Sequence, residues 1–427
     1  MRYIVLLLVS VQIILSSCTQ NIENTHFVTV KGDQFYLNGK PYVYAGANYW
    51  QGMHLGSEKY GNREQLKREL DQLKSYGITN LRVMAGCEAD ATSKFCMQPA
   101  LQISPGIYDE ALFEGLDFLL SEMAKRDMKA VMVLSNFWTW SGGFSQYLKW
   151  DGAGEIPYPQ MDEFGWWDYG EYTKEFFNSE NSLKWYNNHV DKVLGRTNTI
   201  NGKSYNEDAT IMAWQLANEP RGYDNEEPFQ RWIKSTAAKL KFLAPNHLVS
   251  LGSEGNTPSV KEGLIAERDN AYADIDYITM HIWVQNWNWF TPGEGEDAYA
   301  KMITQFDAYW NDHVAVSAKL NKPIVLEEYG LARDEFSYDI DAPVTDRDKY
   351  YSYVFNNMVS NINKKGSIKG INFWGYSGEA RPPRPGEYWN EGDAFVADPP
   401  HELQGWYGVY NTDLSTLQLI KDQMSKL

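Results

Sequence analysis

The chain is poor in the residues that several function classes require. Three cysteines in 427 residues are too few for a disulfide-framed scaffold. The seven histidines, at 26, 54, 189, 247, 281, 313 and 401, fall in no His-Glu-x-x-His pattern, and no Cys-x-x-Cys pair accompanies them. No catalytic metal and no organic cofactor is therefore expected. Basic residues are outnumbered, with Lys and Arg totalling 39 against 56 Asp and Glu, a formal charge of −17. That balance excludes a phosphate-binding face and hence nucleic acid, and it suits a neutral ligand. Beyond the first residues no apolar run is long enough to span a bilayer, and no Ser/Pro/Gly-rich linker or charge block divides the chain.

The one long apolar stretch lies at the start. Arg2 precedes Ile4 to Leu15, and Leu15-Ser-Ser-Cys18 supplies small residues ending in cysteine, the layout of a secretory signal. The cysteine at the cleavage point resembles a bacterial lipobox, which implies that Cys18 is acylated. Residues 1–17 then read as a signal peptide, 18–26 as a lipid-anchored tether and 27–427 as one catalytic domain. The expected product is a monomeric lipoprotein of the cell envelope, on the periplasmic or surface face of the outer membrane, touching the membrane through its anchor only. Cys87 and Cys96 remain. Their short separation permits a disulfide, and two free thiols fit equally well.

Aromatics are abundant, 15% of the chain with 16 tryptophans, and many stand outside the apolar runs. Trp138, Trp140, Trp166, Trp167, Trp283, Trp287, Trp289, Trp389 and Trp406 lie in polar stretches. Any one of them could be a local packing anchor. Together they suggest a cleft for carbohydrate, whose C–H faces stack on aromatic rings while its hydroxyls meet polar groups.

Short apolar strands alternate with amphipathic helices along the chain. After a small hairpin, Phe27 to Leu37 with Asn38-Gly39 as its turn, strands are predicted at Tyr42–Ala47, Thr79–Val83, Lys129–Ser135, Thr210–Leu216, Leu248–Leu251, Tyr277–Met280, Ile324–Leu326 and Gly370–Phe373. Helical periodicity fills the intervals at Glu64–Tyr76, Tyr108–Arg126, Leu183–Leu194, Pro228–Leu243, Ala298–Leu320, Asp346–Ile362 and Thr416–Lys426, with only Val260–Glu267 available after the fifth strand. Eight strand–helix units predict an α/β fold, a closed (β/α)8 TIM barrel with long loops at its C-terminal face, over an open doubly wound sheet.

In such a barrel the site is built where strands end, and the strand ends here are polar. Asn48 follows the first, Arg82 closes the second, Asn136 follows the third, and Asn218 with Glu219 follows the fourth. Glu254, His281, the pair Glu327 and Glu328, and Trp374 follow the remaining four. Each has a bland alternative: a buried ion partner for Arg82, helix caps for Asn48 and Asn136, a satisfied core histidine for His281. Their recurrence at successive strand ends favours a site. Two strand-end carboxylates, Glu219 and one of the adjacent Glu327 and Glu328, fit cleavage of a glycosidic bond, which needs an acid for the departing oxygen and a carboxylate for the oxocarbenium-like centre.

In these residues the sequence resembles glycoside hydrolase family 5, a retaining (β/α)8 family. The matching pieces are Asn48, Arg82, Asn218-Glu219-Pro220, His281, Glu328-Tyr329-Gly330 and Trp374, in order across the chain. The segments Gly46-Ala-Asn-Tyr-Trp50, His281-Ile-Trp-Val-Gln-Asn-Trp287 and Asp398-Pro-Pro-His-Glu-Leu-Gln-Gly-Trp406 resemble its subfamily 7, the β-mannanases. The last looks like the elongated loop after the eighth strand that shapes the cleft. By this resemblance Glu219 is the acid/base and Glu328 the nucleophile. Asn48, Trp50, Arg82, Asn136, Asn218, His281, Trp283 and Trp374 are the expected substrate-binding set. Asn218 would meet the 2-hydroxyl and Trp374 the platform under the cleaved sugar. Trp283 departs from the pattern, because many members carry tyrosine there, and an indole donates but does not accept.

Two electrostatic expectations follow. Arg82 should keep Glu328 ionised, and burial or charge should raise the pKa of Glu219. Strand alternation should turn Glu327 away from the mouth toward the surrounding shell, as a buried bonding partner. The resulting reading is an endo-acting hydrolase of β-1,4-mannan or manno-oligosaccharides, with no cofactor. The alternatives are an exo-β-mannosidase, a β-1,4-glucanase of the same family, or a non-catalytic glycan-binding lipoprotein.

Overall fold

The computed structural model describes residues 26–427. The expected lipidation site at Cys18, the expected signal peptide and all of the expected tether except His26 lie outside the described residues. Eight parallel strands form one sheet: β1 (Tyr44–Asn48), β2 (Ile78–Met84), β3 (Lys129–Val133), β4 (Ile211–Gln215), β5 (Leu248–Ser250), β6 (Ile278–Ile282), β7 (Ile324–Tyr329) and β8 (Ile368–Phe373). Their order is β5-β4-β3-β2-β1-β8-β7-β6. The β5/β6 seam closes without a ladder. Asp276 N–H donates to Val249 O at 2.8 Å and His281 N–H to Glu254 O at 3.0 Å, while the Thr279 hydroxyl donates to Ser253 O at 2.7 Å.

Every residue of β1 and of β4 through β8 is buried. Parallel strands covered on both faces read as continuous apolar runs for this reason. Eight helices cover the outside: α1 (Arg63–Ser75), α2 (Glu110–Ala124), α3 (Glu180–Leu194), α4 (Glu226–Leu243), α5 (Ala266–Asp269), α6 (Glu296–Leu320), α7 (Thr345–Asn363) and α8 (Leu414–Met424). Asn62, Asp109 and Ser179 cap the first three, accepting from the amides of Gln65, Ala111 and Ser182 and so satisfying donors that a helix start leaves unpaired. The helix predicted over Val260–Glu267 is not one element. A 3-10 turn at Val260–Glu262 stops at Gly263 (φ 71°), where a Cβ would meet Tyr223 O at 2.1 Å, and only the four residues of α5 follow.

The predicted hairpin gains a third strand. Val28–Lys31, Gln34–Leu37 and Lys40–Pro41 pair antiparallel. Asn38 and Gly39, both left-handed (φ 52° and 73°), turn between the last two, as a tight hairpin requires. Val28 and Phe35 from this sheet pack with Tyr44, Val131, Met212, Leu248, Tyr277 and Val325, closing the floor of the barrel. At the other end, an insertion between β3 and α3 folds into two short helices, Gly143–Trp150 and Trp166–Thr173, which the sequence reading left as tryptophan-bearing loops. Cys87 and Cys96 are free thiols, both buried. No helix among the described residues is long and apolar enough to cross a membrane.

Candidate active site

Arg82 organises the mouth of the barrel. It is 3% exposed, and its fork donates to Gln215 Oε1 (2.8 Å), Asn48 Oδ1 (3.1 Å), Asn218 Oδ1 (2.7 Å) and Glu328 Oε1. A guanidinium taken out of water needs this many acceptors. Asn48 in turn donates to Glu327 O and Phe373 O, tying β1 to β7 and β8. Asn218 donates one amide hydrogen to Asn136 Oδ1 at 3.1 Å, and Asn136 donates to the Ser141 hydroxyl. The predicted residues Asn48, Arg82, Asn136, Asn218, His281, Glu219 and Glu328 thus come together.

Glu219 stands in left-handed backbone (φ 49°), its N–H held by Gly252 O at 2.8 Å. Such a conformation is uncommon outside glycine and is concentrated at functional sites. Its carboxylate accepts from the Trp138 indole at 2.5 Å and faces His281 Nδ1 at 2.6 Å. Glu328 accepts from Arg82 and from the Trp283 indole at 3.2 Å, so tryptophan at 283 does donate to this carboxylate. One oxygen of Glu219, one of Glu328 and a ring nitrogen of His281 lie within 4.8 Å of one another. Among the described residues this is the one trio of metal-ligating type. Within it, His281 Nδ1 is hydrogen-bonded to Glu219 at 2.6 Å and Arg82 donates to Glu328.

The protons are distributed otherwise than expected. Burial works against charge on His281, yet Glu328, Glu219 and Glu327 around it outweigh that and raise its pKa to about 10. Burial would raise Glu219, but the His281 imidazolium, Arg221 and the Trp138 N–H hold it down at about 2. Glu328 goes the other way: burial and the charge of Glu219 exceed the pull of His281 and Arg82 and raise it to about 7. The expected order of the two carboxyls is reversed because the ring bonds Glu219 at 2.6 Å and approaches Glu328 only to 3.3 Å. The three groups titrate as one unit.

Glu327 is also differently placed. It is 1% exposed, accepts from Gln215 Nε2 at 2.7 Å and lies 3.5 Å from Arg82 Nε. It points into the barrel beneath Glu328 rather than toward the helices. The β6/β7 register pairs Met280 with Leu326 and then His281 with Glu328, skipping Glu327. A bulge of this kind adds one residue to a strand and breaks the alternation of its side chains, so both glutamates reach Arg82. Trp50 does not enter the cleft either. It is buried, donates to Ala397 O at 2.8 Å and packs on Trp140 and Phe395, fixing the loop after β8.

The cleft above these groups is about 740 Å³. Trp138, Trp140, Trp166, Trp283, Trp287, Trp374 and Trp406 line it with Glu219 and Glu328, so most of the tryptophans outside the apolar runs do converge there. Trp374 meets Trp140 and Trp283 edge-on and offers an indole N–H without a partner. Residues that the sequence reading did not single out also contribute. Arg221 is fixed by Glu254 and Glu262 and covers the Trp138 ring at 4.6 Å, and Gln215 spans Arg82 and Glu327. Glu402, in the loop after β8, lines the cleft with one oxygen enclosed and unpartnered. Burial and then the charges of Asp398, Glu328 and Glu219 push it well above the usual carboxyl range. Its place in the Pro-rich segment 398–406 was the available signal.

The whole described chain corresponds to one known family. The family model described as "GH family 5 beta-mannosidase-like" matches residues 25–427. Mannan endo-1,4-beta-mannosidase 5 of Solanum lycopersicum is 30% identical over 369 residues, 83% of this chain and 82% of that protein. Mannan endo-1,4-beta-mannosidase 7 of Arabidopsis thaliana is 30% identical over 370 residues, 83% and 79% of the two chains. Among solved structures, a glycoside hydrolase family 5 mannosidase from Rhizomucor miehei superposes with a TM-score of 0.86 at 38% identity, covering 94% of this chain and 97% of that one. A glutamate-to-alanine mutant of it is solved in complex with mannosyl-fructose. The endo-1,4-beta-mannanase of the same fungus, 21% identical with a TM-score of 0.69 over 94% of this chain and all of that one, shares the fold. With its barrel, its two strand-end glutamates and this match from residue 25 to the last, the chain belongs to the β-mannosidase-like members of glycoside hydrolase family 5.

Proposed function

We propose that this chain hydrolyses β-1,4-mannosidic bonds with net retention, with Glu328 as nucleophile and Glu219 as acid/base. The observation that carries this is the approach of the two buried carboxylates to within 4.8 Å across His281. Retaining enzymes hold their carboxyls about 5 to 5.5 Å apart, and inverting ones about 6.5 to 9.5 Å. Glu328 attacks the anomeric carbon while Glu219 protonates the leaving oxygen, and the glycosyl–enzyme ester is then hydrolysed by a water that Glu219 deprotonates. The required proton is supplied by His281, whose pKa the surrounding glutamates raise to about 10. It reaches Glu219 along a single 2.6 Å hydrogen bond once a sugar excludes water from the cleft. Arg82 holds Asn218 by its oxygen, and Asn136 takes one amide hydrogen. The second amide hydrogen is left for the sugar 2-hydroxyl.

Internal cleavage of mannan is the activity in the names of the plant relatives. A specific feature favours a second mode, release of chain-end sugar. The loop after β8 is joined to the loops after β2 and β3: Gln160 donates to His401 O at 3.2 Å, Trp166 meets His401 edge-on, and Tyr388 packs on Phe95. This bridge walls one side of the cleft. A time-resolved product profile on linear β-1,4-mannan, mannohexaose and cellohexaose, with Glu328→Ala as control, tests the reading. Early mid-chain fragments support endo action, and steady release of mannose supports the chain-end mode. Preference for cellohexaose overturns the mannoside assignment. The leader sequence further supports an acylated Cys18 holding a monomer to the cell envelope. Cys18→Ala should move the protein to the soluble fraction, and retention in the membrane fraction would remove the anchor from the reading.

A further inference from the structure

Large apolar side chains rarely stand together in water, and when they do the patch usually meets a ligand. Phe164, Trp166 and Trp167, close together in sequence on the insertion after β3, are 39%, 51% and 50% exposed. They are not presented by a loose loop. Asp168 accepts from Gly165 N–H at 2.8 Å and caps the short helix that carries the two indoles. The next residue, Tyr169, is buried and bonded to Phe137 O at 2.5 Å and to the Ser145 hydroxyl. A Cβ on Gly170 would lie 2.1 Å from the Tyr223 hydroxyl, so this helix packs directly against the loop after β4.

The ledge is continuous with the catalytic cleft. Trp166 meets Trp138 edge-on at 5.4 Å, and the Trp138 indole donates to Glu219. Trp167 then meets Tyr223 at 5.4 Å, with the Lys261 ammonium over its outer ring at 5.6 Å. The aromatic path therefore leads outward from the acid/base carboxyl. Since that carboxyl protonates the departing oxygen, groups beyond it lie on the leaving-group side. We propose that Phe164, Trp166 and Trp167 form an outer binding site for the leaving-group portion of a β-1,4-linked sugar chain. The chain stacks its C–H faces on the exposed rings after emerging past Trp138. The acidic neighbours Asp162 and Glu163, also exposed, offer acceptors for its hydroxyls and disfavour an anionic polymer. This site rests on the catalytic reading above and adds to it a preference for long neutral substrates.

The test is the ratio of kcat/KM on mannohexaose to kcat/KM on an aryl β-mannoside, in the full chain and in Trp167→Ala and Phe164→Ala/Trp167→Ala. The ratio should fall about tenfold in the double variant, the scale of one or two lost stacking contacts. An unchanged ratio, or an equal fall on both substrates, would overturn the ledge. Binding to insoluble mannan is measured alongside in a Glu328→Ala background, and loss of retention on adding Trp167→Ala is the expected result. Were the parent chain inactive on every mannoside, the catalytic reading would fail, and the pull-down would still decide the ledge. A concentration-dependent dimer abolished by Trp167→Ala, with no mannan retention, would make the patch a self-association surface and overturn the proposal.

Discussion

The two ends of this barrel are built from the same eight strands and opposite chemistry. At the floor, Val28 and Phe35 from the small sheet seal an apolar cluster with Tyr44, Val131, Met212, Leu248, Tyr277 and Val325. At the mouth, Arg82, Glu219, His281, Glu327 and Glu328 are packed as tightly, each under 7% exposed, and are held by ion pairs and hydrogen bonds. Burial of apolar area needs only volume and shape, whereas burial of charge needs every partner in place. The floor should therefore tolerate change as a loss of stability alone, and the mouth should couple stability to activity and pH.

The sharpest break of that comparison is removal of a reacting group. Glu328→Ala should lower kcat/KM on order of 10⁴-fold or more, the scale for loss of an acting nucleophile, with the melting temperature held or raised because a buried carboxyl of raised pKa is gone. Glu219→Gln should lower turnover by about 10²- to 10⁴-fold while calorimetry still detects oligosaccharide binding; equal loss of both would undo its assignment. Next in size is Arg82→Met, which leaves two buried carboxylates without their shared cation. It should destabilise the fold by about 3 to 5 kcal/mol and abolish activity as well, read by denaturant unfolding and by rate. Phe35→Ala at the floor should cost about 3 to 5 kcal/mol and leave kcat/KM at 25 °C unaltered. A matching loss of activity in the folded variant would erase the contrast between the ends.

A smaller effect is carried by pH. His281 is raised from 6.5 to about 10, so its contribution to stability is complete below pH 6.5 and lost as pH climbs through 10. Glu328, raised from 4.5 to about 7, likewise loses its contribution between those values. Glu219, lowered from 4.5 to about 2, has the opposite sign: its contribution is present above pH 4.5 and lost as pH falls through 2. The melting temperature should decline from pH 4.5 toward 10, and His281→Gln should flatten the part above pH 7. A wild-type curve already flat there would show that the imidazolium does not bridge the carboxylates. The smallest expected effect is that of Trp50→Phe, which removes one buried hydrogen bond to Ala397 and should cost about 1 kcal/mol.

Strand positions were legible because buried parallel strands leave short continuous apolar runs, and the polar residues ending those runs marked the mouth without any alignment. Glu219 could be named for that reason, whereas Glu328 was separated from its neighbour Glu327 only by the resemblance to the family. The inward turn of Glu327 was not legible, since alternation is a rule for regular strands and the β6/β7 bulge depends on how two strands far apart in sequence pair. Trp50 and Trp138 illustrate the same limit. Both are tryptophans outside helix interiors, and only their surroundings make one a brace for the loop after β8 and the other a hydrogen-bond donor to Glu219.

The sequence by itself determined the barrel, its approximate element boundaries and the identity of the residues at its mouth, because local periodicity and composition encode which face of each segment is buried. Tertiary structure alone decided where the protons sit, how close the two carboxylates come and which tryptophans face the cleft. Those properties come from distances of a few ångströms between residues up to 347 positions apart, and electrostatic and hydrogen-bond energies at that range depend on the whole fold being closed around them.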